Sequence, residues 1–203
     1  MKEVLDHLSE NYWPLNVSAR SYIVDNSPEI TVKKKELLLK QGDICRHVWF
    51  VKKGILRSYE HNEKGRGFSN WFMLENDVAT SVISFFEGEP TEEVIEAYEG
   101  SVLYKMSKED LFAGIARYKS IALLTLMIVI KYYCQSRRLE SILRRKDQRQ
   151  IHQYLLHHHS ELVQRVSEKD LTSFLGITQP TYNNIKKGKK ADADSKGKKK
   201  KGQ

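Results

Sequence analysis

The residues best suited to specific chemistry lie in the segment 167–187, which reads SEKDLTSFLGITQPTYNNIKK. Ser167, followed by an acid three positions later, predicts the start of a helix. Gly176 predicts a turn with positive φ, and Pro180 fits the first turn of a second helix. On this second helix we expect Tyr182 to face the core. The side chains expected to face outward are those of Gln179, Thr181, Asn183, Asn184, Lys186 and Lys187.

These outward side chains are of the types that contact DNA. Asn and Gln pair with adenine in the major groove, and Lys holds backbone phosphates. The segment therefore predicts a helix-turn-helix that binds double-stranded DNA. A plain α-helical hairpin is the alternative, because two helices joined by a glycine turn also occur without DNA.

The remaining reactive side chains predict no catalytic or metal site. Cys45 and Cys134 are far apart and lie in no CxxC motif, so neither a disulfide nor an iron–sulfur cluster is expected. His157–His159 are consecutive, and on a helix their side chains would point about 100° apart and would not converge on a metal. GxSxG, HExxH, P-loop and GxGxxG motifs are absent from the sequence, so we expect no enzyme and no cofactor. Haem bound through one histidine is an alternative to a merely solvated side chain for His7, His47 and His61.

Charge is distributed unevenly along the 203 residues. Residues 1–118 carry 15 Lys and Arg against 19 Asp and Glu, whereas residues 119–203 carry 19 against 7. Since phosphate attraction acts through local charge, the C-terminal half is the part expected to meet a polyanion. The lysine-rich end of the chain accounts for part of this excess.

Hydropathy predicts a cytoplasmic protein without a membrane segment. The longest apolar run, residues 121–130, lies between two lysines and is far shorter than the ~20 residues that cross a bilayer. The first residues, MKEVLDHLSENYW, contain no apolar core of the kind that a secretory signal needs.

Short segments rich in β-branched and aromatic residues occur from about residue 30 to residue 107. Examples are ITVKKKELLL, HVWFVKKG and SVLYKMS, with turn residues such as Gln41-Gly42-Asp43 between them. Many short strands favour an antiparallel roll over a parallel sheet. Residues 1–25 show a helical pattern. We therefore predict an α+β fold with an N-terminal antiparallel β-roll of the cupin-like jelly-roll type.

A long helix is predicted across residues 119–142, where apolar residues recur every three or four positions. Its first half is apolar nearly all round and must be covered on several sides. We expect one face to pack on the roll and another to pack on a second copy of the chain. A helix packed wholly within its own chain is the alternative. The predicted dimer interface consists of Leu124, Ile128, Tyr132, Gln135 and Leu139.

Two stretches carry a resemblance to a known family. LLLKQGDICRHVWFVKKGILRSY, with Gly42 and Gly54 at turn positions, resembles the early strands of the Crp/Fnr superfamily, and SFLGITQPTYNNIKK resembles its recognition unit. The resemblance extends to about residue 187. It implies a β-roll sensor of the cyclic-nucleotide-binding type, a long dimerisation helix and a winged helix-turn-helix. No strand pair that could form the wing follows Lys187.

From this resemblance we expect a homodimeric transcription regulator that binds promoter DNA and contacts RNA polymerase. Gln179, Thr181, Asn183 and Asn184 are then the candidate base-contacting residues. The implied domains are a sensor at 1–118, a dimerisation helix at 119–144, a helix-turn-helix domain at 145–190 and a disordered lysine-rich tail at 191–203.

The family holds a cyclic phosphate with a short helix that opens after a Phe-Gly-Glu sequence and with a later arginine. Here Phe86, Gly88 and Glu89 match in part, and the place of the arginine is near Thr91. No Lys or Arg occurs between Arg66 and Lys105. The segment instead carries six carboxylates: Glu87, Glu89, Glu92, Glu93, Glu96 and Glu99.

Six carboxylates would repel a phosphate, which strong sites clamp with arginine. The sequence therefore predicts a degenerate sensor that does not bind cyclic AMP. Its effector is unknown, and the pocket is expected to be empty, to take an uncharged or cationic ligand, or to be opened by a partner protein. The alternative for the whole chain is a protein-interaction module built on a β-roll that does not bind DNA.

Overall fold

The computed structural model describes residues 1–61, 67–145, 150, 151, 153–155 and 160–184. The chain divides into two compact units, Met1–Tyr133 and Cys134–Gln203. Lys186, Lys187, His157–His159 and the predicted tail lie outside the described residues.

In the described part of the first unit, eight strands form two four-stranded sheets. The sheet orders are β1-β8-β3-β6 and β2-β7-β4-β5, and every pairing is antiparallel. The predicted antiparallel β-roll is therefore confirmed. The strands are β1 (Glu29–Val32), β2 (Leu37–Leu39), β3 (His47–Lys53), β4 (Leu56–His61), β5 (Gly67–Met73), β6 (Val78–Ala79), β7 (Val94–Ala97) and β8 (Ser101–Ser107).

Both sheets bury side chains in one core. Val48 and Leu103 come from the first sheet, and Leu56 and Ile95 come from the second. The N-terminal helix adds Leu5 and neighbouring apolar residues to the same core. Burial of this apolar surface is the main force that holds the two sheets together.

Helices flank the strands and follow them. They are α1 (Lys2–Asn11), α2 (Val17–Asp25), α3 (Val82–Glu87), α4 (Lys108–Arg117), α5 (Lys119–Arg145), α6 (Ser160–Arg165) and α7 (Glu168–Phe174). Residues 150, 151, 153–155 and 179–184 are also helical. Ser107 caps α4, because its hydroxyl oxygen accepts a hydrogen bond of 3.0 Å from the Asp110 amide. None of the helices in the described residues is long and apolar enough to span a membrane.

The chain crosses from the first sheet to the second at Gly54, between β3 and β4. Gly54 has a φ of +101°, and a Cβ atom placed there would lie 2.8 Å from the Cα of Ser101. A side chain would therefore strain the backbone and collide with β8. This crossing requires glycine.

The long helix α5 packs against the roll with the stripe that the sequence assigns to a dimer. Leu124 is 4% exposed within the core, and Ile128 packs against that core. The Tyr132 hydroxyl donates to Asp77 Oδ1 at 3.1 Å and accepts from the Val78 amide at 3.1 Å. Leu124 is buried within its own chain, whereas Ile128 and Tyr132 are half-buried, and the part of these three residues in a dimer interface stays a prediction.

The other two residues of that predicted interface belong to the second unit. Leu139 is buried there, with 7% exposure, and its place in a dimer interface stays a prediction. Gln135 is half-buried, and its place in a dimer stays a prediction. The exposed apolar residues of α5 are Leu126, Val129, Ile130 and Tyr133.

Candidate nucleic-acid interface and sensor site

The first helix of the candidate DNA-binding unit begins where the sequence predicts. The Ser167 hydroxyl accepts from the Asp170 amide at 3.2 Å and donates to the Asp170 carboxylate at 2.6 Å. This reciprocal contact fixes the start of α7. Leu171 and Leu175 are buried, and they anchor the helix to the interior of the second unit.

A glycine turn separates α7 from the next helix. Gly176 has a φ of +60°, and the Ile177 amide donates to the Thr172 carbonyl at 3.0 Å. Residues 179–184 are helical, and the Thr178 oxygen accepts from the Thr181 amide at 3.4 Å. The order of helix, glycine turn and second helix therefore agrees with the sequence prediction.

The second helix buries Tyr182 and presents amides on its other side. Tyr182 is 3% exposed. Asn183 and Asn184 are exposed, whereas Gln179 and Thr181 are half-buried. These four predicted base-contacting residues therefore lie on one short helix, and their contact with DNA stays a prediction.

One contact in this unit was not predicted. The Gln179 Nε2 atom donates to Glu168 Oε2 at 2.7 Å. The two residues are eleven positions apart and belong to different helices, so no local sequence pattern indicates the pair. Knowledge of the turn geometry at Gly176 would have been needed to find it.

Exposed arginines precede the helix-turn-helix in the second unit. Arg137, Arg138, Arg144 and Arg145 all lie on the exposed surface of α5. Glu140 pairs with Arg137 and with Arg144. Four arginines against the one carboxylate of Glu140 leave this surface positive.

The short helix α3 lies earlier in the chain than the partial match to the Phe-Gly-Glu sequence. Helix α3 follows Ser81 and ends before Gly88. Phe86 lies in its last turn, and Glu89 lies beyond it, so the partial match to Phe-Gly-Glu follows the helix instead of opening it. Phe86 is 43% exposed, and Gly88 and Glu89 are also exposed. The place of these three residues in an effector pocket stays a prediction.

Thr91 is the only one of the four predicted pocket residues that is buried, with 5% exposure. Its hydroxyl shares a hydrogen bond of 2.9 Å with the Ser81 hydroxyl and accepts from the Glu93 amide at 3.0 Å. The Ser84 hydroxyl donates to the Glu89 carbonyl at 2.6 Å. Neutral hydroxyl groups therefore hold this loop at the position where the family has an arginine.

A carboxyl group lies beside the same loop. The Ser58 hydroxyl donates to Glu93 Oε2 at 2.5 Å, and Ser58 is 4% exposed. Burial raises the pKa of Glu93, and the nearby charge of Glu60 raises it further, against the opposing effect of the Ser58 hydrogen bond. Glu93 therefore holds a proton more readily than a free glutamate does, and in its ionised form it would repel a second anion.

The described residues contain no group of three His, Cys, Asp or Glu side chains that could hold a metal ion. Cys45 is buried and Cys134 is exposed, and both are free thiols. The expectation of no metal site concerns the whole chain and stays a prediction.

Residues 29–118 match the family model of the cyclic nucleotide-binding domain. These residues contain all eight strands, α3 and α4, so this part of the first unit is a cyclic nucleotide-binding domain. No curated protein matches the chain in sequence.

Solved structures extend the likeness to most of the chain. FixK2 from Bradyrhizobium japonicum is 18% identical, with a TM-score of 0.70 over 82% of this chain and 86% of that one. A putative Crp/Fnr regulator from Eubacterium rectale is 18% identical, with a TM-score of 0.65 over 88% and 85%. The regulator CLP from Xanthomonas campestris is 14% identical, with a TM-score of 0.64 over 88% and 93%. The chain therefore shares the fold of these proteins over most of its length, and its motifs resemble those of the Crp/Fnr superfamily.

Replacing Glu93 by Gln should raise the free energy of unfolding at about pH 7, and the gain should shrink at about pH 5. An acid whose pKa is raised by folding binds its proton more readily in the folded state. Burial of the charged Glu93 carboxylate therefore lowers the free energy of unfolding at pH values above its pKa in the folded state. At pH values below its pKa in the unfolded chain, the group is protonated in both states and this loss disappears. Urea unfolding at the two pH values measures both effects.

The exposed neighbour Glu92 provides the control. Glu92→Gln should give no pH-dependent gain, since its side chain is not desolvated. A Glu93→Gln variant that is less stable than the wild type at about pH 7 would contradict the prediction.

Proposed function

We propose that this protein is a homodimeric transcription regulator that binds promoter DNA in a sequence-specific manner. The observation that carries the proposal is the exposure of Asn183 and Asn184 on a helix that follows the Gly176 turn. Amide side chains at this position of a helix-turn-helix can contact base edges in the major groove. Gln179 and Thr181 complete the proposed base-contacting set.

The names of the similar structures support a regulatory role over an enzymatic one. The Eubacterium rectale protein is named as a transcriptional regulator of the Crp/Fnr family, and CLP is named as a global regulator that is responsive to c-di-GMP. Their likeness to this chain is one of fold, so DNA binding is inferred from the residues of this chain. Contact with RNA polymerase and a cytoplasmic location follow from the same proposal.

A dimer would place two recognition helices in successive major grooves, about 34 Å apart. Such an arrangement contacts a two-fold symmetric site. The exposed arginines of α5 and the predicted lysines Lys186 and Lys187 would bind phosphates and thereby add affinity without sequence preference.

Selection from random duplex DNA at about 150 mM salt tests the proposal. We expect a palindromic motif both from the full chain and from a version that ends at Lys190, in which the terminal lysines cannot dominate. Asn184→Ala should relax the preference at one position of each half-site, with a loss of about 1–3 kcal/mol of discrimination.

Gln164, an exposed amide on α6, provides the matched control, and Gln164→Ala should select the wild-type motif. If the folded wild-type protein enriches no sequence, DNA recognition as proposed is wrong. That result would favour a protein-interaction module, for which the first unit offers an exposed apolar patch of Ile83, Phe86 and Phe112.

The dimer contact is proposed for the exposed face of α5. Leu126, Val129, Ile130 and Tyr133 are between 43% and 66% exposed and recur at helical spacing. Paired helices bury stripes of this kind against each other. Val129→Glu should convert the dimer to a monomer in analytical ultracentrifugation, because it places a charge in an apolar contact.

Val24, on α2, is a matched control because it is a valine of similar exposure, 46% against 44% for Val129. Val24→Glu should leave the dimer intact. A Val129→Glu protein that sediments as the wild type does would place the interface elsewhere.

The sensor is proposed to be degenerate and not to bind cyclic AMP. Thr91 and its hydroxyl partners replace a cation, and Glu93 lies beside them. A nucleotide present at 100 times its Kd would stabilise the folded state by about 2.7 kcal/mol. We expect no shift of Tm with millimolar cyclic AMP, and a saturable shift would show that the site accepts the phosphate.

A further inference from the structure

The contact between Glu168 and Gln179 joins the two helices of the proposed DNA-binding unit. Glu168 is the first residue of α7, and Gln179 is the first helical residue after Thr178. From this contact we infer that Glu168 is a positioning residue that makes Gln179 select adenine over guanine. The inference rests on the proposed function, because it concerns how that function distinguishes bases.

The hydrogen bond determines which way the Gln179 amide points. An ionised carboxylate only accepts hydrogen bonds, so the nitrogen of the amide must face Glu168. The observed contact, from Gln179 Nε2 to Glu168 Oε2 at 2.7 Å, has this arrangement. The Gln179 oxygen and one remaining N–H are then left for a base.

Adenine matches these two groups and guanine does not. In the major groove, adenine presents an N–H donor and the N7 acceptor, whereas guanine presents two acceptors. The Gln179 oxygen can accept from the adenine amino group, and the remaining N–H can donate to N7. Against guanine the same oxygen would face another oxygen, so the complex with guanine loses affinity.

The charge of Glu168 distinguishes this role from ordinary phosphate binding. The first helix of a helix-turn-helix crosses the DNA backbone, where a carboxylate repels phosphates. Glu168 therefore reduces affinity for DNA in general while it improves the choice of base. Removal of the Glu168 carboxylate should therefore raise the affinity for DNA in general and lower the preference for adenine.

The experiment uses the full-length protein and duplexes that carry the selected site, together with versions that have A replaced by G at each adenine. For Glu168→Ala we expect the A-to-G affinity ratio to fall by about tenfold at one position of each half-site. Affinity for random duplex DNA should rise. Glu168→Gln should also lower the ratio, because a neutral amide can donate to the Gln179 oxygen and so release its orientation.

Two further variants isolate the effect. In a Gln179→Ala background, Glu168→Ala should no longer change the A-to-G ratio, since the two residues act as one unit. Glu161→Ala removes an exposed acid of the same unit that lies beside Arg165, and it should leave the ratio unchanged. Circular dichroism verifies folding, and Glu168→Gln decides the question if the alanine variant does not fold.

The outcomes separate this inference from the proposed function. If the wild-type protein binds all duplexes alike, both are overturned. If the wild type discriminates and Glu168→Ala discriminates equally well, only the role of Glu168 is overturned. A folded Glu168→Ala protein that loses affinity for every duplex by the same factor would indicate a general structural role and would also overturn the inference.

Discussion

The arrangement of the first unit depends on the carboxylate of Asp77. It accepts hydrogen bonds from Lys131, from Tyr132 and from the Leu74 amide, so a single side chain joins the turn before β6 to α5. Burial alone would lower the pKa of Lys131, but Asp77 and Tyr12 raise it above the ordinary value, so the Lys131 ammonium is protonated at neutral pH. Since α3 follows β6 after two residues, the same anchor also sets the start of the sensor loop.

The loop after α3 is held by hydroxyl groups, and a carboxyl whose pKa is raised by burial lies beside it. These groups lie where the resemblance to the Crp/Fnr superfamily implies an arginine. An anionic ligand would gain no ion pair from this loop, since the sequence has no Lys or Arg between Arg66 and Lys105. Because the polar groups of this loop already bond to one another, the loop needs no ligand to complete its packing.

Features determined by neighbouring residues were predictable from the sequence, whereas those determined by distant residues were not. Ser167 and Gly176 were assigned correctly, because caps and turns follow local rules. The periodicity of α5 identified a stripe that would be covered, but it could not show that the same chain buries Leu124 and bonds to Tyr132. The partial match at Phe86 did not indicate the helix that begins at Val82, and the Glu168–Gln179 pair had no local signal.

The similar structures share only 14% to 18% of their residues with this chain, so most positions of the fold tolerate replacement. Gly54 is different, because its positive φ and the Ser101 backbone behind it leave no room for any side chain. Most other positions can therefore be substituted during evolution while Gly54 is retained. Gly54 should serve as a fixed reference point for aligning very distant members of the family, where overall identity no longer gives a usable signal.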